Sequence, residues 1–124
     1  HAEANANLGS HYARGGDWKK ALPRLETAWK AGRIDSAIAN NYALALKAEG
    51  ESEKARRIFE EAVQRNNKDP LLLLNYAALL IETLNRPKEG LPLVYRVKFL
   101  ETDKKEILTR ANQLERRASQ SGNP

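Results

Sequence analysis

Asn41-Tyr42-Ala43 decides the reading of this chain, because the triplet returns. Asn75-Tyr76-Ala77 repeats it 34 residues later, and Asn7-Leu8-Gly9 stands 34 residues earlier with the same order of Asn, large apolar residue and small residue. A fixed period of tens of residues marks an array of stacked supersecondary units. One such unit cannot bury its apolar face alone, whereas a stack buries a continuous core.

Working outward from the triplets, units begin at Ala2, Ser36 and Pro70. In the first, Leu8, Gly9, Tyr12, Gly16, Ala21, Leu25 and Ala28 fall at positions 7, 8, 11, 15, 20, 24 and 27. Tyr42, Ala43, Leu46, Gly50, Ala55, Phe59 and Ala62 occupy the same positions in the second. The third opens with Leu73, Tyr76, Ala77 and Leu80, then departs: Leu84 stands where Gly is expected, and one extra residue enters the turn. With that shift Gly90-Leu91-Pro92 matches Ala21-Leu22-Pro23, and Val94 and Val97 take the last two positions.

Over residues 2–102 this pattern resembles the tetratricopeptide repeat, a helix–turn–helix unit of 34 residues. The resemblance implies an all-α, right-handed superhelix (an α-solenoid) of three repeats, 2–35, 36–69 and 70–102. The spacing has a physical reason. Positions 4, 7, 8 and 11 share one face of the first helix of a pair, helix A, and positions 20, 24 and 27 share one face of the second, helix B. Small residues at 8 and 20 let the two backbones approach, and large ones fill the space between neighbours.

Punctuation agrees with seven helices, over 2–14, 18–31, 36–49, 53–66, 70–84, 87–101 and 104–119. Asp17, Ser52 and Asp69 suit N-caps, Pro70 and Pro87 suit first turns, and Gly15-Gly16, Gly32 and Gly50 suit helix ends. Pro23 and Pro92 lie inside helices and should bend or weaken their first turns. The seventh helix is not a repeat. Asp103 and Glu106 make a capping-box start, and Ile107, Leu108, Ala111, Leu114 and Ala118 form one apolar stripe. Residues 103–119 therefore read as a capping helix, apolar inward and polar outward, and 120–124 as a disordered polar tail. Asn5 stands at position 4, where a buried large residue could be, which favours an array that starts at Ala2.

Composition narrows the chemistry. Charged residues make up 30% of the 124 residues, cysteine and methionine are absent, and the net charge is +5. Without cysteine there is neither a disulfide nor a thiolate metal site. No apolar run approaches the ~20 residues of a membrane span. A chain that opens on His1 without methionine reads as a processed or excised fragment, so cytoplasmic and bacterial periplasmic settings both stay open. Residues 1–85 carry 12 basic and 11 acidic groups, residues 86–124 carry 9 and 5, so the positive excess lies at the C-terminal end. The histidines are His1 and His11, and no nucleophile, phosphate-loop or metalloprotease motif is present. The expectation is a chain that is not an enzyme and needs neither cofactor nor metal.

What the resemblance implies about a site is a concave groove lined by the A helices, at positions 2, 5, 6, 9, 12 and 13. Here the candidates are Asn7, Ser10 and Arg14; then Asn40, Asn41, Leu44 and Lys47; then Leu71, Leu74, Asn75, Ala78, Ile81 and Glu82. Position 6 is Asn in every repeat, a ladder of amides that both donate and accept. The floor becomes apolar through Leu44, Leu71, Leu74, Ala78 and Ile81, and an apolar strip with a polar rim marks a partner site. Co-chaperones of this family hold an acidic chaperone C-terminus with a Lys, Asn and Arg clamp. The matching positions are Ala6, Ser10, Asn41, Leu71 and Asn75, and of these Asn41 alone fits. The expected ligand is therefore an uncharged, partly apolar peptide or helix of another protein, bound by an adaptor, scaffold or assembly factor.

Two alternatives stay beside this reading. One is self-association as a homo-oligomer, or a structural spacer in a larger protein. The other is electrostatic capture of an anionic partner by Arg86, Lys88, Arg96, Lys98, Lys104, Lys105, Arg110, Arg116 and Arg117. Charges of this kind ordinarily solvate a helical surface, so nucleic acid is not the expected partner and a membrane is an indirect one at most.

Overall fold

Three aspartates set helix starts. In the computed structural model, which describes residues 1–100 and 103–121, the Asp17 carboxylate accepts from the Lys20 N–H, Asp35 from the Ile38 N–H, and Asp69 from both Leu71 and Leu72. They open α2 (Trp18–Lys30), α3 (Ser36–Ala48) and α5 (Pro70–Ala78); α1 (Ala2–Arg14) precedes α2, and α4 (Ser52–Arg65) lies between α3 and α5. Asp35 is a cap the sequence reading passed over. Ser52, expected as a cap, is the first residue of α4, and the Glu51 carbonyl accepts from the Ala55 N–H in the cap position. The last two helices are α6 (Pro87–Phe99) and α7 (Lys105–Ser121). α6 stops where Leu100 turns extended, and residue 101 of its expected span lies outside the described residues. α7 starts one residue beyond the expected 104, with the Lys104 carbonyl accepting from Leu108, so Asp103 is not its cap. It runs through Gln120 to Ser121; the rest of the expected tail, 122–124, lies outside the described residues.

The helix ends explain the irregular third repeat. Gly16 and Gly50 have φ of 78° and 85°, and the next N–H reaches back five residues, from Asp17 to Tyr12 O and from Glu51 to Leu46 O. This is the left-handed ending that glycine favours. In the third pair Asn85 takes the left-handed place, with φ 55°, and the Arg86 N–H reaches back six residues to Leu80 O. The extra residue is taken up inside the helix: Leu79–Thr83 form a π-helical turn, and the Leu84 N–H bonds Leu79 O. Two expectations change. The α-helix ends at Ala78, not at 84, and Asn85 rather than Leu84 stands in for the turn glycine.

The chain forms two compact units, His1–Arg65 and Asn66–Pro124. In the first, α1 packs on α2, α3 lies against both, and α4 packs on α3. Its core is Ala21, Leu25, Ala28, Tyr42, Ala43, Leu46, Ala55 and Phe59, all at most 2% exposed. In the second, α5, the π turn and α6 pack together and α7 lies on all three. Leu73, Ala77, Leu80, Val94, Val97, Ala111 and Leu114 are its buried centre. Small residues sit where the spacing requires them: a Cβ added to Gly9 would lie 2.7 Å from Leu25 Cγ, and one added to Gly90 2.5 Å from Ile81 Cγ1.

Candidate functional site

Residues one helical turn apart line one face of a helix, so the A helices present the expected positions as short rows. In the first unit α1 carries Asn7 and Arg14 exposed and Ser10 half-buried. On α3, Asn41 and Leu44 are half-buried and Lys47 is exposed. Asn40 is different: at 7% exposure it is buried and holds a partner inside the fold, so it is not offered to a ligand.

Behind this face a polar network ties three helices. The Tyr42 hydroxyl donates to Glu26 Oε2 at 3.3 Å, and Lys54 Nζ lies 3.4 Å from the same oxygen. Lys30 stands 3.8 Å from Oε1. Burial, joined by the charge of Glu26 and the hydrogen bond to it, pushes the Tyr42 hydroxyl up to about 12. Burial acts to raise Glu26 too, but Lys30, Lys54 and the Tyr42 hydroxyl outweigh it and hold the carboxyl below its ordinary range. Trp29 and Tyr42 rings stack at a tilt, 6.0 Å between centroids. The network therefore fixes α3, and with it the row that carries Asn41.

In the second unit the apolar floor shrinks. Leu71 is 46% exposed, and Asn75 and Ala78 are half-buried. Leu74 and Ile81, at 5% and 3%, belong to the core. For Ile81 the cause is visible: the π turn carries it against Gly90 of α6. Two of the five residues of the expected apolar floor are thus withdrawn from the surface.

What the second unit exposes instead is charge. Glu82, next to Ile81 in the π turn, receives both terminal nitrogens of Arg110 on α7, one of them at 3.0 Å, and Arg117 Nη1 lies 3.8 Å away. Glu82, Arg110, Gln113, Arg116, Arg117 and Gln120 line an open cleft of about 610 Å³. The sequence reading put Glu82 on the groove rim and counted the three arginines in a diffuse basic surface. That Arg110 and Arg117 share one acid is not legible there, because the extra residue in the third turn reads as part of the loop. On α6, Tyr95 and Phe99 are exposed, 52% and 85%, four residues apart. Among the described residues no group of acidic residues and histidines is arranged to hold a metal, and no helix is long and apolar enough to cross a membrane.

Comparison with known proteins agrees with this architecture. Residues 36–79 match the family model of the tetratricopeptide repeat. A structure of the TPR2B domain of yeast Sti1 in complex with pHsp70 superposes with a TM-score of 0.83, 19% identity and 96% of each chain covered. The Yersinia enterocolitica type III secretion chaperone SycD, in complex with a peptide of the translocator YopD, superposes with a TM-score of 0.83, 16% identity, 98% of this chain and 94% of that one. In sequence the chain is 29% identical, over 98 residues, to an uncharacterized lipoprotein of Treponema pallidum (strain Nichols); the match takes in 79% of this chain but 46% of that protein, about half its length.

Proposed function

We propose that this chain, whose residues 36–79 match the family model of the tetratricopeptide repeat, binds a peptide or helix of a partner protein on the open faces of its A helices, as an adaptor or assembly factor. The observation that carries the reading is the recurrence of Asn7, Asn41 and Asn75 at one register of α1, α3 and α5, each among residues left at least partly open. An amide offers both a donor and an acceptor to a peptide backbone. Leu44 and Leu71 supply apolar contact beside them, with Arg14 and Lys47 setting charge at the edge. Structures of this fold from Sti1 and SycD are complexes with pHsp70 and with a peptide of YopD, which supports a protein as the partner. The polar network ties Tyr42 of α3 to Glu26 of α2, and through it to Lys54 of α4, so that the α3 row is held before a ligand arrives; preorganisation of that kind reduces the ordering cost of binding.

The test is affinity capture from the source lysate with the parent chain beside an Asn41→Ala, Asn75→Ala, Leu71→Glu variant whose helix content is intact by circular dichroism. A partner held by the parent and lost with the variant supports the reading. The same partner held equally by both would overturn it.

A further inference from the structure

The cleft beside α7 gathers three guanidinium groups around one carboxylate. Arg110, Arg116 and Arg117 with Glu82 leave a local excess of two positive charges. The Arg117 side chain is 64% exposed and that of Arg110 39%, with both terminal nitrogens of Arg110 on Glu82, and Arg116 is exposed without an ion pair among the described residues. Gln113 and Gln120 complete the lining with amides. Arginine forks match carboxylates two bonds at a time, and Glu82 on Arg110 already displays that geometry within the chain.

We propose that this cleft binds an acidic peptide segment, with Arg116 and Arg117 taking its carboxylates while Glu82 occupies the fork of Arg110. The inference deepens the peptide-binding reading above and rests on it for the kind of partner. The cleft's volume of about 610 Å³ suits a few residues rather than a long polyanion. Glu82 within it, and Glu115 on the adjoining turn of α7 paired with Lys98, would repel a continuous phosphate backbone. The π turn is what builds the site: an inserted residue turns the chain beyond it by about 100°, and Glu82 lies in that turn, on the α7 side.

The test uses the full chain and a fluorescein-labelled octa-glutamate peptide, with octa-glutamine and a single-stranded oligonucleotide of equal charge as comparison probes, read by fluorescence anisotropy at low salt. Arg116→Gln/Arg117→Gln should weaken octa-glutamate at least tenfold. An Arg57→Gln/Lys68→Gln control of equal charge change on another surface should shift it less than twofold. Glu82→Gln, which frees Arg110, should tighten it several-fold. Equal losses in both double variants would reduce the effect to diffuse charge and overturn the cleft. So would no binding of octa-glutamate, or tighter binding of the oligonucleotide. If the cleft fails in this way while capture of a partner still depends on Asn41 and Asn75, the A-helix reading stands without it.

Discussion

Gly90 faces Ile81 so closely that a Cβ on the glycine would lie 2.5 Å from Ile81 Cγ1 and 3.3 Å from the Ala77 carbonyl oxygen. A glycine inside a helix ordinarily costs stability relative to alanine, so the contact must return more than it loses. Gly90→Ala is expected to destabilise the chain by about 1–3 kcal/mol through overpacking. Ile81→Ala alone should also cost stability, and the double variant should cost less than the two singles together, because the pair shares one space. Denaturant titration of the three variants checks this.

Asn85 carries the turn that glycine carries at Gly16 and Gly50, with φ 55°. Left-handed backbone costs a residue with a Cβ roughly 1–2 kcal/mol, less for asparagine. Asn85→Gly should therefore leave the melting temperature unchanged or slightly higher. Asn85→Val should lower stability by about 1–2 kcal/mol, measured on the same scale.

Leu71 and Leu74 look alike in sequence and differ in place, 46% against 5% exposed. Leu74→Ala should cost about 2–5 kcal/mol. Leu71→Ala should change stability by no more than about 0.5 kcal/mol, as surface substitutions do, while weakening partner capture. Parallel unfolding curves and capture assays separate the two roles.

The Tyr42–Glu26 contact predicts a pH dependence. Folding raises the Tyr42 hydroxyl from 10.0 to about 12. The unfolded chain thus gives up that proton first, and the stability it represents is complete below pH 10 and is lost as pH rises toward 12. Glu26 has the opposite sign: its carboxyl is lowered by folding, so its contribution is present above pH 4.5 and is lost on acidification. Tyr42→Phe should flatten the alkaline limb of the stability curve and make the acid limb shallower without abolishing it, since Lys30 and Lys54 still hold Glu26 down. It should also cost about 0.5–1.5 kcal/mol at neutral pH through the lost hydrogen bond.

The periodic residues made the helix pairs legible before any coordinates. Tyr42, Ala43, Leu46, Ala55 and Phe59 are buried as the spacing required, since position in a repeat fixes which face meets a neighbour. The third pair was read less well. Counting residues revealed one too many before Gly90, but a count cannot say whether the surplus widens a loop or a helix turn. It widens the helix, which withdraws Ile81 and turns Glu82 toward Arg110. Leu74 was misplaced for a simpler reason: in Leu71-Leu72-Leu73-Leu74 all faces of the helix are apolar, and no contrast tells the open side from the closed one. The arginine cleft was out of reach because Glu82 and Arg110 lie 28 residues apart, on elements that share no repeat register.

The claim at the centre is that the A-helix rows are the binding surface. The most direct measurement is a ¹⁵N–¹H correlation map of the chain titrated with the segment of the captured partner that suffices for binding. Shifts concentrated on the side-chain amides of Asn7, Asn41 and Asn75 and on the backbone around Leu44 and Leu71 are the expected result. Shifts confined to the outer helices, around Tyr95 and Phe99 of α6 or along α4, with those three amides unmoved, would contradict it.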